Sequence, residues 1–379
     1  MRIVFAWHAA VEPEYRKLFK EFAGMGHSVT VISPEAWREG GRDQHAYTVE
    51  ADGYRLLGLP VAYKNKPKRF FYTDAVALAL TIRMSRPDVV HVFEEPYSAA
   101  AFQLVILTRL FGRKAKIVME SFENINAEER SLPARFERYT LKRCDALIAV
   151  PGEGAEVWRA KGCGKPIKQV PVGVDENFFK KTEGTIPGLE FLDERDKVRI
   201  AYVGRLTDEK GIGMLMEAFA VLTKAGEPCE LALVGGGEAG KYKARCKELG
   251  IGDSVTFIAA VESAALPLIY SKVDILVLPS LTTPQWKEQF GRVLIEAMAC
   301  GVTVVGSSSG EIPNVIGDAG VIFKEGDANG LAAALRKLVN DKPLRDSYAA
   351  AGRKRVLEKF TWRRVANELV KVYEEVLNR

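Results

Sequence analysis

Two glutamates, Glu288 and Glu296, stand with seven residues between them in the run 287–313, KEQFGRVLIEAMACGVTVVGSSSGEIP. Between and after them Val293, Leu294, Ala297 and Met298 recur at helical spacing. Gly301 stands where a helix-ending glycine belongs. Strand-like segments at 274–279 and 302–305 flank the run, so the order is strand, loop, helix, strand, the plan of a βαβ unit. A helix starting near Phe290, Gly291 and Arg292 points its unpaired N–H groups into the preceding loop, and its dipole adds to the attraction for an anion. Gly291 lets a ligand approach the backbone closely. Glu288 sits at that mouth, and Glu296 lies about 9 Å along the axis from Phe290 at 1.5 Å per residue. A phosphate at the helix start with a carboxylate near each end suits a ligand that carries hydroxyls at both ends, such as a nucleotide sugar. Two solvated glutamates on a surface helix would show the same spacing, so the surroundings must decide.

A second strand-to-helix turn adds cations. Segment 198–203 (VRIAYV) reads as a strand, Gly204-Arg205 follows, and Lys210-Gly211 opens a helix whose core face is Leu215, Ala218, Phe219 and Leu222. Arg205 offers a bidentate grip and Lys210 a point charge, which together match a diphosphate.

The elements around these residues repeat one plan twice. In the first half, 2–7 reads as a buried strand, 12–23 as a helix with Tyr15, Leu18, Phe19 and Phe22 on one face, and 28–33 as a second strand. Further strands are expected at 87–93, 115–120, 145–150 and 167–172, with helices at 75–84 and 136–142. His8 follows the first strand and is either a ligand contact or a hydrogen-bonded structural histidine. Glu94 and Glu95 follow the strand 87–93, where open α/β sheets bind ligands; they either orient acceptor hydroxyls or cap the next helix. Lys64, Lys66, Lys68 and Arg69 lie beside Tyr63, Phe70, Phe71 and Tyr72, as either a solvated loop or a surface for a membrane or a lipid phosphate. The segment 180–196, with Gly184, Pro187 and Gly188 among charges, reads as a linker. In the second half 230–237 reads as a strand and glycine turn, 255–258 as a strand, and 281–286 as a loop in which Trp286 either stacks on a ligand or packs on the sheet.

Length and composition bound the answer. The 379 residues suit two domains, and 47% hydrophobic with 27% charged residues describes a globular chain. The net charge of +5 is too small to argue for nucleic acid. With 2–7 reading as a strand, no signal peptide is expected; no apolar run is long enough to span a bilayer, and the five cysteines form no C-x-x-C pair. A cytoplasmic setting is expected, at the inner face of the membrane if the basic–aromatic cluster touches lipid. The four histidines are scattered, with no H-E-x-x-H and no D-x-D, so no metal and no cofactor is expected. No G-x-G-x-x-G follows the first strand of either half, which excludes a dinucleotide oxidoreductase.

The E-x7-E, the QFG after its first glutamate, the EAMACG, the later G-E-I-P at 310–313 and the upstream V-G-R-x4-K-G together resemble the donor-site signature of the retaining family 4 glycosyltransferases. The similarity covers most of 198–379 and is much weaker over the first 180 residues. It implies the GT-B fold: an N-terminal Rossmann-like acceptor domain (1–180), a C-terminal donor domain (181–361), a cleft between them, and a last helix (362–379) returning to the first domain. The final helix has the apolar stripe for that, Val365, Leu369, Val372 and Val376. The resemblance further implies a nucleoside-diphosphate sugar donor, UDP-linked by frequency, transferred with retention to a sugar, lipid-linked or small-molecule acceptor in polysaccharide or glycolipid synthesis. Glu288 would bind the donor sugar, Glu296 the ribose, Arg205 and Lys210 the diphosphate, Val261 would border the base through its backbone, and Glu311 would lie nearby. Two departures stand out. The first loop reads His8-Ala-Ala-Val-Glu-Pro where relatives often carry Gly-Gly. Glu123, with Asn124 beside it, stands where a histidine is common, replacing a switchable base with a carboxylate. The rival readings are a GT-B sugar phosphorylase or nucleotide-sugar epimerase, and a non-catalytic binding protein of the same fold.

Overall fold

The structure, a computed structural model, describes residues 1–379 except 40–41, 113, 128–130, 187–188, 190–191 and 193–195. Two units build it, one of Met1–Gly173 with Trp362–Arg379, the other of Val174–Thr361.

In the first unit, runs of Val, Ile, Leu and Ala form strands buried on both faces, as a parallel sheet covered by helices requires. In chain order the strands are β1 (Arg2–Ala6), β2 (Ser28–Pro34), β3 (Ala36–Glu39), β4 (Arg42–His45), β5 (Val49–Ala51), β6 (Tyr54–Leu59), β7 (Val61–Ala62), β8 (Phe71–Tyr72), β9 (Val89–Val92), β10 (Lys116–Ser121), β11 (Ala146–Ala149) and β12 (Ile167–Gln169). The main sheet runs β12-β11-β10-β9-β1-β2-β6-β5, parallel except for the edge hairpin β5–β6, and β3–β4 and β7–β8 form two small hairpins. Sequence assigns no elements to 35–70, where β3 to β7 lie. Of these, β6 pairs with β2, in a register from Val29 opposite Tyr54 to Pro34 opposite Leu59.

The first helix is shorter than its apolar face suggests. It spans Lys17–Gly24, and the chain before it makes two short turns, His8–Val11 and Pro13–Arg16. Arg16 explains the detour: its guanidinium donates to the carbonyls of Ala10 and Val11 at 2.7 Å each, which uses the segment as a collar rather than a helical turn. The last helix, Trp362–Leu377, buries Val365, Leu369, Val372 and Val376 within this unit. It is anchored by Tyr373, whose hydroxyl lies 2.6 Å from Nδ1 of buried His91.

The second unit is a six-stranded parallel sheet, β15-β14-β13-β16-β17-β18, made of β13 (Val198–Val203), β14 (Cys229–Val234), β15 (Val255–Ile258), β16 (Ile275–Leu278), β17 (Thr303–Ser307) and β18 (Val321–Phe323). Strand order reverses between β13 and β16, and open sheets of this kind bind ligands beyond the carboxyl ends at such a point. The division between units falls at 173/174 rather than 180/181. The reason is that 174–179 packs in the second unit. Val174 donates to the carbonyl of Phe360, Arg353 donates to the carbonyls of Glu176 and Phe179, and the Phe179 ring meets Tyr270. Pro187 and Gly188 of the expected linker lie outside the described residues.

Among the described residues no helix is long and apolar enough to cross a membrane. All five cysteines are buried free thiols.

Candidate active site

The switch point of the second unit gathers three segments that are far apart in sequence. After β13 the chain turns through Lys210 and Gly211 into the helix Ile212–Lys224. Gly211 has φ +71, and a side chain there would meet the Pro279 carbonyl oxygen at 1.9 Å. Only glycine fits so close a crossing in that conformation. The crossing is tied by Leu281 donating its N–H to the Glu209 carbonyl at 2.9 Å. It places Lys210 beside the loop after β16. A second close approach fixes the other side: Gly310, at φ +53, packs against the Glu288 carbonyl, where a Cβ would sit at 1.9 Å, and the Glu311 N–H donates to that same carbonyl at 3.2 Å.

Between these two crossings the Glu288 carboxylate is buried. Its Oε2 accepts from Lys210 Nζ at 2.7 Å and from Ser280 Oγ at 2.8 Å. Lys210 Nζ also lies over the Trp286 ring, 4.5 Å from its centre. The helix Arg292–Ala299 starts beside them at Gly291, which is at φ +83 with no side-chain cap and no acid in the first turn. The dipole of a helix start attracts an anion.

Glu296 is one turn further on and also buried. Its Oε2 accepts from the Tyr270 hydroxyl at 2.9 Å, and its Oε1 lies 3.2 Å from Arg292 Nε. Burial together with this carboxylate pushes the Tyr270 phenol well above its ordinary range. Arg205 is placed differently. Its side chain is 68% exposed and only 3.9 Å from Glu209, so the structure brings Lys210 but not the Arg205 guanidinium to Glu288. The Phe290 ring is directed into the core against Phe360, 6.0 Å between centres, which leaves only its backbone at the helix mouth. Val261 lies half-buried on the loop after β15, and Glu311 is buried at the start of the helix Ile312–Ile316.

Sequence reasoning missed Ser280, Tyr270 and the two glycine crossings. Gly310 and Gly211 carried a signal, since each stands at a strand-to-helix turn. The glycine run after β14 had a purpose too: Gly235 packs on the Gly204 carbonyl, where a Cβ would sit at 1.8 Å, which joins the loops after β13 and β14.

The first unit has its own cluster at the carboxyl ends of β1, β9 and β10. His8 donates its backbone N–H to Glu94 Oε1 at 2.7 Å, and its ring Nδ1 lies 2.8 Å from Glu94 Oε2. Trp37 and Phe70 wall the imidazole. Glu95 accepts from Ser121 Oγ at 2.6 Å and from the Phe122 N–H at 2.8 Å, and Ser121 in turn accepts from the Trp158 indole at 3.0 Å. Burial pushes the Glu95 carboxyl up to about 7, against the pull of those two hydrogen bonds. Neither glutamate caps the helix Ala99–Phe111, because Ser98 does so by accepting from the Ala101 N–H. Glu123 accepts from the Ile125 N–H at 3.2 Å and lies 3.4 Å from the Tyr97 hydroxyl, and Asn124 is buried beside it. Of the basic–aromatic cluster, Phe70 and Tyr72 belong to the core while Tyr63 and Phe71 are exposed.

Among the described residues no group of three or more His, Cys, Asp or Glu side chains is placed to share a metal ion.

The chain is similar to known proteins. Residues 190–355 match the family described as Glycosyl transferases group 1, and residues 15–178 match Glycosyltransferase Family 4. The phosphatidyl-myo-inositol mannosyltransferase of Mycolicibacterium smegmatis is 29% identical over 97% of this chain and 90% of its own length. The D-inositol 3-phosphate glycosyltransferase of Corynebacterium jeikeium is 33% identical over 55% of this chain and 52% of its own length. Among solved structures HepE of Anabaena, crystallised with UDP, superimposes with a TM-score of 0.74 at 16% identity over 99% of this chain and 100% of that one. With both families matched in order and a GT-B glycosyltransferase fold along its length, this chain belongs to the family 4, group 1 glycosyltransferases.

Proposed function

We propose that the chain transfers a sugar from a nucleoside-diphosphate sugar, a UDP-sugar before a GDP-sugar, to an acceptor hydroxyl with retention and without a metal, in glycolipid or polysaccharide synthesis. The observation that carries the reading is the Lys210–Glu288–Ser280 cluster at the switch point, beside the uncapped helix start at Gly291.

Departure of the diphosphate is the costly step, and charge placed in advance lowers it most. Lys210 and the N–H groups at 291–292 neutralise the leaving phosphate. Arg205, exposed at the same turn, swings in as a second cation. A phosphate arriving at Lys210 competes with Glu288 for the ammonium and turns the carboxylate toward the hydroxyls of the donor sugar. Glu296 holds the ribose hydroxyls with the acceptor capacity left after Tyr270 and Arg292, since an ionised carboxylate offers about four lone-pair sites. Attack on the face from which the diphosphate leaves gives retention, and the leaving oxygen takes the acceptor proton. His8, Glu94, Glu95, Glu123 and Asn124 serve the acceptor.

A thermal-shift panel of UDP, GDP, ADP and their sugar conjugates, run with EDTA, tests the donor reading, because a ligand bound only by the folded state raises Tm. One nucleotide series should shift the melt without metal and name the base. A shift that appears only when a divalent cation is restored would overturn metal independence, and no shift at all would overturn the donor site.

A further inference from the structure

We propose that Trp286 is a further donor-binding residue: its ring covers the Lys210 ammonium before a donor arrives and packs on the donor's sugar once the diphosphate has taken that ammonium. The inference rests on the donor reading of Lys210 and Glu288 given above.

The loop that carries Trp286 is built as a stiff turn. Between β16 and Glu288 the chain reads 281–287, LTTPQWK. Pro284 takes the second position of a tight turn, where its fixed φ is already suitable. The turn closes on itself twice. The Thr283 N–H donates to the Trp286 carbonyl at 2.8 Å, and the Trp286 N–H donates to the Thr283 hydroxyl oxygen at 2.9 Å. The base of the loop is fastened as well. Leu281 donates to the Glu209 carbonyl, while the Thr282 hydroxyl donates to Glu325 at 2.8 Å and lies 3.0 Å from the Ser309 hydroxyl. These bonds tie the loop to the turns after β13, β17 and β18. An indole placed in advance loses little freedom when a ligand meets it, which is how a preorganised side chain adds affinity.

The position of the ring selects its partner. Lys210 Nζ is 4.5 Å from the ring centre and 2.7 Å from Glu288 Oε2, so one ammonium joins the indole to the carboxylate. In a nucleotide sugar the anomeric carbon is bonded to the terminal phosphate through oxygen. A phosphate at Lys210 therefore brings the sugar ring to both groups. An ammonium and the C–H face of a sugar seek the same surface, the electron-rich face of an aromatic ring. The phosphate wins the ammonium, because a charge-assisted hydrogen bond outweighs a cation–π contact. The sugar then takes the face that the ammonium leaves. Glu288 holds hydroxyls at the rim of the sugar and Trp286 covers its C–H face, which are the two kinds of contact a sugar offers. The nucleoside base suits this ring less well. It lies at the ribose end of the donor, with Glu296, whereas Trp286 adjoins Glu288.

Tryptophan itself supplies the readout. Of the five tryptophans, Trp7, Trp37, Trp158 and Trp362 belong to the first unit and Trp286 alone to the second. The full-length protein is titrated with UDP, UDP-glucose, GDP and GDP-mannose, followed by intrinsic fluorescence and by calorimetry. The unaltered chain is compared with Trp286→Phe, Trp286→Leu and Trp286→Ala, each checked for unchanged melting without ligand. In the series that binds, the diphosphate should change the emission of the unaltered chain. That change should vanish in every variant while calorimetry still records diphosphate binding of unaltered strength. The sugar conjugate should bind about tenfold more weakly to the leucine and alanine variants, the scale of one lost aromatic stack, and nearly normally to Trp286→Phe, which keeps a π-face. A leucine variant that binds the conjugate as well as the phenylalanine variant would overturn the proposal in favour of plain apolar packing. An equal loss of diphosphate and conjugate would overturn it too, since the ring would then serve the base or the fold. So would an emission change that persists in Trp286→Phe. Failure of the unaltered chain to bind any of these nucleotides by calorimetry is a different result: it overturns the donor reading, and the proposal with it.

Discussion

The two units place carboxylates at the same topological position, beyond the carboxyl ends of a parallel sheet, and treat them in opposite ways. In the second unit Glu288 meets an ammonium, Lys210, at 2.7 Å, and Glu296 lies 3.2 Å from Arg292. Each of the two carboxylates therefore has a cation beside it. In the first unit Glu95 meets only a hydroxyl and a backbone N–H, and burial pushes it up to about 7. Glu94 meets the backbone N–H and the ring Nδ1 of His8. One fold therefore carries a site where each carboxylate faces a cation and a site where Glu95 faces only uncharged donors. The difference comes from the residue opposite each carboxylate, not from the sheet that presents it. Cations at the first of these suit a diphosphate. A carboxyl pushed up to about 7, as Glu95 is, suits a group that orients or releases a neutral hydroxyl.

The sharpest way to break this contrast is to remove the fixed pair. Glu288→Ala or Lys210→Ala should lower kcat by about 100-fold or more, the scale of losing one preorganised group from a charge-stabilising site. Circular dichroism should show an intact fold. A rate within a few fold of the unaltered chain would dissolve the comparison.

Next in size, Gly211→Ala forces a Cβ against the Pro279 carbonyl in a left-handed conformation. It should cost about 2 kcal/mol of stability, within the range for strained backbone. It should also part Lys210 from Glu288, so turnover should fall more than stability alone explains. Urea denaturation set beside kcat separates the two effects.

Glu296→Ala should weaken nucleotide binding about tenfold, as expected for a hydrogen bond to a charged group. Calorimetry should show this with acceptor kinetics unchanged. The mirror experiment in the first unit is Glu94→Gln, which should raise the acceptor KM several-fold and leave nucleotide affinity alone. If both variants moved the same constant, the division of labour between the units would be lost.

The smallest effect is the most specific. The Glu95 carboxyl is raised in the folded state, so its contribution to stability is fully present below its unfolded value near 4.5 and is lost as pH rises through about 7. Glu95→Gln cannot ionise and should show no such loss. The difference in Tm between variant and unaltered chain should therefore move in favour of the variant between about pH 4.5 and 7 and level off above. A difference that stays constant across this window would mean Glu95 titrates normally. His91, pushed down to about 3 by burial, works in the other direction: its contribution is present above about 6.5 and lost as pH falls toward 3. The comparison must therefore be made variant against unaltered chain at each pH.

Much of the second unit was legible before any coordinates. Each strand there is a short apolar run, each helix has a periodic face, and the strand-loop-helix order around Glu288 follows from local pattern alone. The parts that were not legible depend on contacts between distant segments. The strand β6 does not read as one because its place between β2 and β5 comes from pairing with both and not from alternation in its own sequence. The first helix starts late because Arg16 caps two upstream carbonyls, and propensity alone contains no trace of that choice.

The same division holds at the site. Sequence by itself determined the residue types, Glu288 with Glu296 and Arg205 with Lys210, and the helix start that attracts an anion, because spacing on a helix and the order of strand and turn are local. Only the tertiary structure decided that Lys210, 78 residues upstream, closes on Glu288 while Arg205 stays in solvent, that Ser280 shares the carboxylate, and that Phe290 turns into the core. The physical reason is that two backbone crossings, Gly211 on Pro279 and Gly310 on Glu288, set those distances. A crossing is a property of two chain segments at once, so neither segment's sequence contains it.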